Sequence, residues 1–493
     1  MQKSQKKVLL LGSGLMTPAL VDYLVSFKDT QVTVASNLIK EAEGVAARHP
    51  QYLKAALVDI FNEKELDALV QAHDAVISFV PPTMHLPVFK SCLKIGRHLT
   101  TSSYVSPDME KLHEEAKKKG LIFLNEVGLD PGIDIMSTMK VKDEAEAKGW
   151  KIVAYESYCG GLPVAEQADN PFGYKFSWNP GAAIKASKNK ATYKKGGKVV
   201  ESPAPLKVVE TRDDISVAMR LEVYPNRDSL VFMEKFGMQS CETFIRGTIR
   251  FSGFSFIISA FHDMGLTSDD AVPASVVTLR DLAQSRLAKA SKSLHPKAQQ
   301  AIKDSLEGGL SEQDLDLTLR LMSDIDVSYV PEGELSGLFR QYYKALIFLG
   351  FFDDKTPLVT KFKDGKSRSY LDAFGDVLAQ KLSMTDEDRD LVIMRHNFIL
   401  EDQTTKKRWG HYSTLIASGS SKKQGGYTIM AKTVGMTAAI GCRLILEGKI
   451  SLRGVLSPIH KEIYEPSLAE LERLGVTLVE ESERFRTVER AKL

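Results

Sequence analysis

Val8-Leu9-Leu10-Leu11-Gly12-Ser13-Gly14-Leu15-Met16-Thr17-Pro18 is the stretch that decides the fold. A run of aliphatic residues passes straight into two glycines and a helix that opens at a proline, the strand-turn-helix context of a dinucleotide fingerprint. Glycine suits the turn because a pyrophosphate must approach backbone N–H groups at a helix N-terminus, where the helix dipole favours negative charge. Thr17 stands in place of the third glycine, whose usual task is close helix-sheet packing. The motif is therefore only partly diagnostic, and the surrounding segments must decide.

Strand-like runs at 8–11, 31–35, 57–58, 75–80, 98–101 and 121–124 alternate with helical patterns such as 17–27 and 108–119. Pro107 before the latter and Gly120 after it suit helix ends. Six such runs in one small-domain length predict βα units and a Rossmann-type doubly wound parallel sheet. After Gly132 the alternation stops. Runs at 152–158, 219–224 and 243–258, joined by polar, Gly/Pro-rich connections, predict a second α/β domain with a mixed or antiparallel sheet. Residues 269–382 are helical in period, 391–394 and 413–418 return to strand, and a long helix is expected over 427–447, stopped by Gly448. We expect a dinucleotide-binding domain at 1–131 with a C-terminal return over about 430–493, a substrate-binding α/β domain at 132–265 and about 385–429, and a helical domain at 266–384.

Composition narrows the function. The 493 residues, 43% hydrophobic and 26% charged, are ordinary globular usage and more than one core should carry. With 65 basic and 63 acidic side chains interspersed, for a net charge of +2, no electrostatic footprint for nucleic acid or an anionic membrane is visible. Small molecules and further copies of the chain are the expected partners. Cys92, Cys159, Cys241 and Cys442 lie far apart without C-x-x-C spacing, which argues against structural zinc and a disulfide framework and suits a reducing compartment. No histidine has metal-ligand spacing and no G-x-S-x-G elbow occurs, so no metal is expected and acyl transfer has no support. The N-terminal apolar stretch is too short for a signal peptide and no run of about 18 apolar residues occurs; a cytoplasmic location is expected.

The second strand ends in Val34-Ala35-Ser36-Asn37, where an acid would normally accept from the adenosine ribose. No carboxylate is expected there to repel a 2′-phosphate, so NADP(H) is favoured and NAD(H) stays open; Lys40 is near enough to help neutralise the phosphate or is simply a surface charge. Ser102-Ser103-Tyr104 and Gly128-Leu129-Asp130-Pro131-Gly132 follow the fifth and sixth strands, at the carboxyl ends where the open α/β fold places its ligand crevice. Tyr104 and Asp130 are candidates to face a substrate, although Asp130 has a second reading as turn former and helix cap. Arg246, Thr248 and Arg250 alternate onto one strand face, where two guanidinium groups suit carboxylate recognition; the other reading is a solvated face crossed by salt bridges. Arg227 is equally two-sided, because Asp228 is placed to pair with it.

Together with the opening segment, Thr101-Ser102-Ser103-Tyr104-Val105-Ser106-Pro107, Glu126-Val127-Gly128-Leu129-Asp130-Pro131-Gly132, Ser157-Tyr158-Cys159-Gly160-Gly161-Leu162-Pro163, Asn170-Pro171-Phe172-Gly173-Tyr174-Lys175-Phe176-Ser177-Trp178, Tyr224-Pro225-Asn226-Arg227-Asp228-Ser229, Arg246-Gly247-Thr248-Ile249-Arg250 and Met430-Ala431-Lys432-Thr433-Val434-Gly435 span nearly the whole chain. In that order they resemble the saccharopine reductase (glutamate-forming saccharopine dehydrogenase) family. The resemblance implies an oxidoreductase of lysine metabolism that reduces the imine of L-glutamate and α-aminoadipate δ-semialdehyde to saccharopine, or runs the reverse. It implies dinucleotide contacts at Gly12, Gly14, Leu15, Met16, Thr17, Pro18, Ser36, Asn37, Asp59, Val80, Ser102 and Val127. Substrate contacts would fall at Ser103, Tyr104, Asp130, Arg227, Thr248, Ile249 and Arg250; for the chemistry we expect Asp130 to stabilise an iminium as a carboxylate and Tyr104 or a water to relay protons, with no residue singled out as the necessary acid-base group. A homodimer and a stand-alone reductase are also expected. Asn37 departs from the pattern, since fungal members carry Arg there and animal members an acid nearby, which leaves the cofactor less settled than the fold. Two rival readings stay open: a related carbon-nitrogen-forming dehydrogenase of the carboxynorspermidine or opine type, and a non-catalytic dinucleotide-binding sensor or scaffold.

Overall fold

The computed structural model describes residues 5–177, 180–287, 312–323, 325–362 and 365–484. Trp178, part of the expected helical region (288–311) and the end of the C-terminal return (485–493) lie outside the described residues. The chain forms two compact units: one from Met1–Tyr155, Phe236–Met238 and His396–Lys492, the other from Glu156–Lys235 and Gln239–Arg395.

In the first unit β1 (Lys6–Leu11), β2 (Thr30–Ser36), β3 (Leu53–Leu57), β4 (Ala75–Ser78), β5 (His98–Thr100) and β6 (Ile122–Leu124) form a parallel sheet in the order β6-β5-β4-β1-β2-β3. Val8, Leu9, Leu10 and Leu11 are wholly buried, as the continuous apolar run of a central parallel strand requires. Strand order reverses between β1 and β4, which sets the ligand crevice at their carboxyl ends. β3 lies upstream of the expected 57–58, because its pairing with β2 runs from Leu53 to Leu57 and Leu57 itself is exposed. The single helix expected over 108–119 is two short ones, Pro107–Glu110 and His113–Lys118, separated by a tight turn.

The second unit is built on a second sheet. β7 (Trp150–Pro163) begins in the first unit and ends in the second. β8 (Ala191–Lys195) and β9 (Lys198–Ser202) pair as an antiparallel hairpin, and β10 (Glu210–Thr211), β11 (Leu221–Pro225) and β12 (Thr243–Phe251) follow one another across the sheet towards β7, β10 with β11 and β11 with β12 pairing antiparallel. The expected strand 243–258 ends early: Gly253 has φ +95° and the helix Phe254–Asp263 begins. Residues 254–261 are all buried, and although Ser255, Ser259 and His262 recur at helical spacing, Phe254, Phe256, Ile257 and Ile258 read as a continuation of the strand. The helices Leu279–Leu287, Glu312–Ser323, Leu335–Leu349 and Tyr370–Lys381 share one apolar core with this sheet, in which Phe256, Phe261, Phe339, Tyr342 and Phe374 pack with Leu221 and Ile249.

β13 (Asp390–Asp402) runs back into the first unit, where β14 (Arg408–Ser418) follows it. The long helix expected over 427–447 is a π-helical segment, Ala431–Met436, continued by the helix Thr437–Leu446 and ended at Gly448. It packs on the helix Thr17–Ser26, and Arg443 fixes it there: its guanidinium bonds both Asp29 oxygens at 2.6 and 2.9 Å and lies over the Phe27 ring. β15 (Gly454–Leu456) adds a seventh parallel strand beside β6, and β16 (Val479–Arg484) pairs antiparallel with β14. A three-residue strand carries too short a pattern to be read from sequence.

Candidate active site

The glycine turn is built for an anion. Gly12 has φ +113°, and a Cβ there would sit 2.7 Å from the Phe79 carbonyl oxygen, so only glycine fits. Gly14 differs: a Cβ there would meet nothing within 4 Å, so the space beside it is open. Leu15 is exposed, and Met16, which precedes the helix, gives it no side-chain cap. With Pro18 in the first turn, the leading N–H groups are left for a ligand such as a pyrophosphate. Thr17 is buried and donates to the Gly14 carbonyl at 2.7 Å. The close approach that a third glycine would give comes instead from Gly435, whose Cβ would lie 2.3 Å from the Met16 carbonyl oxygen.

At the end of β2, Ser36 is buried and its Oγ accepts from the Leu38 N–H, while Asn37 is exposed. Ser13 Oγ lies 3.1 Å from Ser36 Oγ and 3.1 Å from a Glu41 carboxylate oxygen. A carboxylate does therefore stand by this corner, contrary to expectation. It was missed because it is carried not by the strand end but by the first turn of the next helix, Ile39–Ala46. Asp59 is exposed and closes its own turn by accepting from Phe61 N–H. Val80 and Ser102 are half-buried, whereas Val127 is fully buried and packs near Gly441 of the return helix, which leaves its backbone for any cofactor contact.

Beyond β5 and β6, Tyr104 Oη donates to Asp130 at 2.9 Å. The first turn of the helix Ile133–Ala147 is served by Asp134, which accepts from the Gly132 N–H at 2.6 Å. Ser103 is held from two sides that sequence reading did not single out. Its Oγ lies 2.8 Å from His85 Nε2, whose Nδ1 lies 2.8 Å from Ser78 Oγ. Its carbonyl accepts from the N–H of Glu126, a residue with φ +59° whose carboxylate accepts from the Val105 N–H. Strain at a non-glycine residue next to candidate ligands marks a position that the surroundings over-determine.

Burial holds the His85 pKa at about 4, below its ordinary 6.5, so the ring is neutral at physiological pH. The unfolded chain takes up a proton near pH 6.5 that the folded chain refuses until about pH 4, so acidification across that window favours unfolding, by up to about 3 kcal/mol from this group. Stability measured by urea unfolding is expected to fall from pH 6.5 towards 4, and His85→Asn to flatten that slope; equal slopes for both proteins would refute the assignment.

In the second unit, Arg246, Thr248 and Arg250 of β12 are all buried, which overturns the solvated-face reading. Arg246 lies over the Phe232 ring at 3.9 Å. Arg250 lies over Tyr174 and Phe254 at 4.9 and 5.2 Å, and its Nη1 donates to the Ile249 carbonyl. Glu222, directly across the β11–β12 pair, accepts instead from the N–H groups of Gly253 and Ser255 at 2.7 Å each. Burial pushes the Glu222 carboxyl up against those hydrogen bonds. Burial also works against the Arg250 charge, but Tyr224, Tyr174, Cys159 and Glu222 outweigh it and hold its pKa above the ordinary value. Arg250 Nε and Tyr174 Oη are both buried without a hydrogen-bond partner among the described residues. A charged guanidinium with unused donors is what a carboxylate ligand requires. The Ile249 side chain is in the core, and only its carbonyl, which accepts from Arg250 Nη1, is turned to that guanidinium. Arg227 is exposed on the turn after β11 with φ +56°, and Asp228 accepts from Leu230 N–H. Tyr174 had been quoted only within a family-like block, because an aromatic in an apolar stretch reads first as core.

Among the described residues no helix is long and apolar enough to cross a membrane, and no cluster of metal-ligating side chains occurs. A doubly wound sheet with a glycine cradle at its switch point places the chain in the class of dinucleotide-dependent oxidoreductases. Residues 8–124 match the saccharopine dehydrogenase NADP binding domain, and residues 128–476 the saccharopine dehydrogenase C-terminal domain. The chain belongs to the saccharopine dehydrogenase family. Saccharopine dehydrogenase [NADP(+), L-glutamate-forming] of Pyricularia oryzae is 34% identical over 96% of this chain and 98% of its own length. The alpha-aminoadipic semialdehyde synthase of Arabidopsis thaliana is 33% identical over 97% of this chain but only 45% of itself. The solved apo saccharopine dehydrogenase (L-Glu forming) of Saccharomyces cerevisiae matches with a TM-score of 0.81 and 32% identity, over 97% of this chain and all of that one.

Proposed function

We propose that this chain interconverts saccharopine with L-glutamate and α-aminoadipate δ-semialdehyde, using NADP(H), as an oxidoreductase of lysine metabolism. The observation that carries the reading is Arg250, buried, charged and with donors unused beside the unpartnered Tyr174 hydroxyl. It suits a substrate rich in carboxylates, which a fork of N–H donors binds with defined orientation. The bound dinucleotide supplies or accepts the hydride.

In the reductive direction the imine nitrogen must carry a proton before its carbon accepts hydride, and the product is the secondary amine. Asp130, as a carboxylate, stabilises that cation, and the Tyr104 hydroxyl already bonded to it is placed to hand on a proton. Ser103, oriented through His85, offers a further hydrogen bond. The same reading takes the chain as a cytoplasmic homodimer whose domains are 1–131 with about 430–493, 132–265 with about 385–429, and 266–384; light scattering and limited proteolysis test these points.

The test of the reaction is saccharopine-dependent reduction of NADP⁺ and, separately, NAD⁺ at alkaline pH, followed by absorbance of the reduced nicotinamide. A saccharopine-dependent rate with NADP⁺ is expected. No rate with either dinucleotide would overturn the reading in favour of the carboxynorspermidine or opine type, or of a non-catalytic binder.

A further inference from the structure

We infer that Glu41 sets how strongly this chain prefers a phosphorylated over an unphosphorylated dinucleotide. The inference rests on the reading that NADP(H) binds at the glycine turn. Ser13 lies between Gly12 and Gly14, Ser36 ends β2, and their hydroxyls are 3.1 Å apart. In dinucleotide-binding units the adenosine ribose lies over this end of the second strand, so the two hydroxyls and the Leu38 N–H beside Ser36 are the donors a 2′-phosphate would use.

Two of those donors already have acceptors, the Leu38 N–H on Ser36 Oγ and the Ser13 hydroxyl on Glu41 Oε2, each at 3.1 Å, and only the second acceptor carries a charge. Glu41 is exposed, and among the described residues no cation pairs with it. Its charge therefore remains at the corner that must receive a doubly charged phosphate. A ribose hydroxyl can donate to that carboxylate, as it does to the acid of NAD-binding units. A 2′-phosphate can only repel it, and must turn the Glu41 side chain away to reach Ser13. Glu41 thus tempers NADP(H) binding and keeps NAD(H) admissible in a site whose strand end, Ser36-Asn37, has no acid of its own.

The experiment is direct binding of NADPH and of NADH, followed by nicotinamide fluorescence, to the full-length wild-type, Glu41→Gln and Glu41→Lys chains. Like charges about 4 Å apart in high dielectric cost on the order of a few-fold to tenfold in an equilibrium constant. Glu41→Gln is expected to tighten NADPH binding by about three- to tenfold and to change NADH by less than about twofold or weaken it, with Glu41→Lys tightening NADPH further. An NADPH-to-NADH ratio that stays the same or moves towards NADH in both variants overturns the role given to Glu41 while leaving the cofactor site intact. Failure of wild type to bind either dinucleotide overturns the site itself, and the role of Glu41 with it.

Discussion

Arg250→Met is expected to lower kcat/KM for saccharopine by roughly 10²- to 10³-fold while leaving the dissociation constant of NADPH within about twofold. Losing one partner of a buried, hydrogen-bonded charge pair costs about 2–5 kcal/mol, and each 1.4 kcal/mol or so is tenfold. The dinucleotide should be indifferent, since the N–H groups proposed to cradle it belong to the turn at Gly12 to Thr17 and not to β12. Stability supplies a second sign. No carboxylate is hydrogen-bonded to Arg250 among the described residues, but its charge helps offset the burial that pushes up the Glu222 carboxyl across the strand pair, so an apolar side chain of similar length should lower the melting temperature modestly. Arg250→Lys keeps the charge but loses the fork, and should recover only a small part of the activity. Turnover equal to wild type in Arg250→Met would remove this residue from the substrate site.

Gly435→Ala is the second substitution with a large expected effect. The new Cβ would stand 2.3 Å from the Met16 carbonyl oxygen and 3.4 Å from the Leu20 nitrogen, both backbone atoms that cannot rotate away. The return helix or the cofactor turn must move, at the cost of about 1–3 kcal/mol usual for overpacking. We expect a melting temperature lower by several degrees and NADPH binding weakened by at least about tenfold, because Met16 belongs to the turn that offers N–H groups to the pyrophosphate. Gly14→Ala is the contrast: a Cβ there meets no protein atom within 4 Å, so stability should hold while binding alone suffers. If the two variants lose stability equally, the close approach at Gly435 is not the cause.

The glycine turn explains why the cofactor unit was legible. Gly12 is demanded by its own φ and by Phe79, a residue at the end of the adjacent strand, and the apolar run before it is buried by the same sheet. Such features are local, or repeat with the period of one element, so they leave a mark in a short stretch of chain. The helix Phe254–Asp263 is misread despite Ser255, Ser259 and His262 at helical spacing, because its β-favouring residues Phe254, Phe256, Ile257 and Ile258 prolong the pattern of β12.

The residues proposed to act on the substrate stand otherwise. Tyr104, Asp130 and Arg250 could be named from their places at strand ends and on one strand face. Whether Asp130 would meet Tyr104, and whether Arg250 would be buried with donors to spare, depended on side-chain directions and on neighbours such as Tyr174, 76 positions away in the chain. Glu41 and His85 were unreadable for the same reason: an exposed acid in a helix and a lone histidine become meaningful only once folding sets them beside Ser13 and Ser103. By itself the sequence determined the parallel cofactor sheet, its glycine turn and the identity of the ionisable groups, because short-range sterics and burial act on contiguous residues. Tertiary structure alone decided which of those groups are paired, which are buried unpaired and which side chains crowd the turn, because hydrogen bonds and charge interactions reach only a few ångströms and join segments that the chain itself keeps far apart.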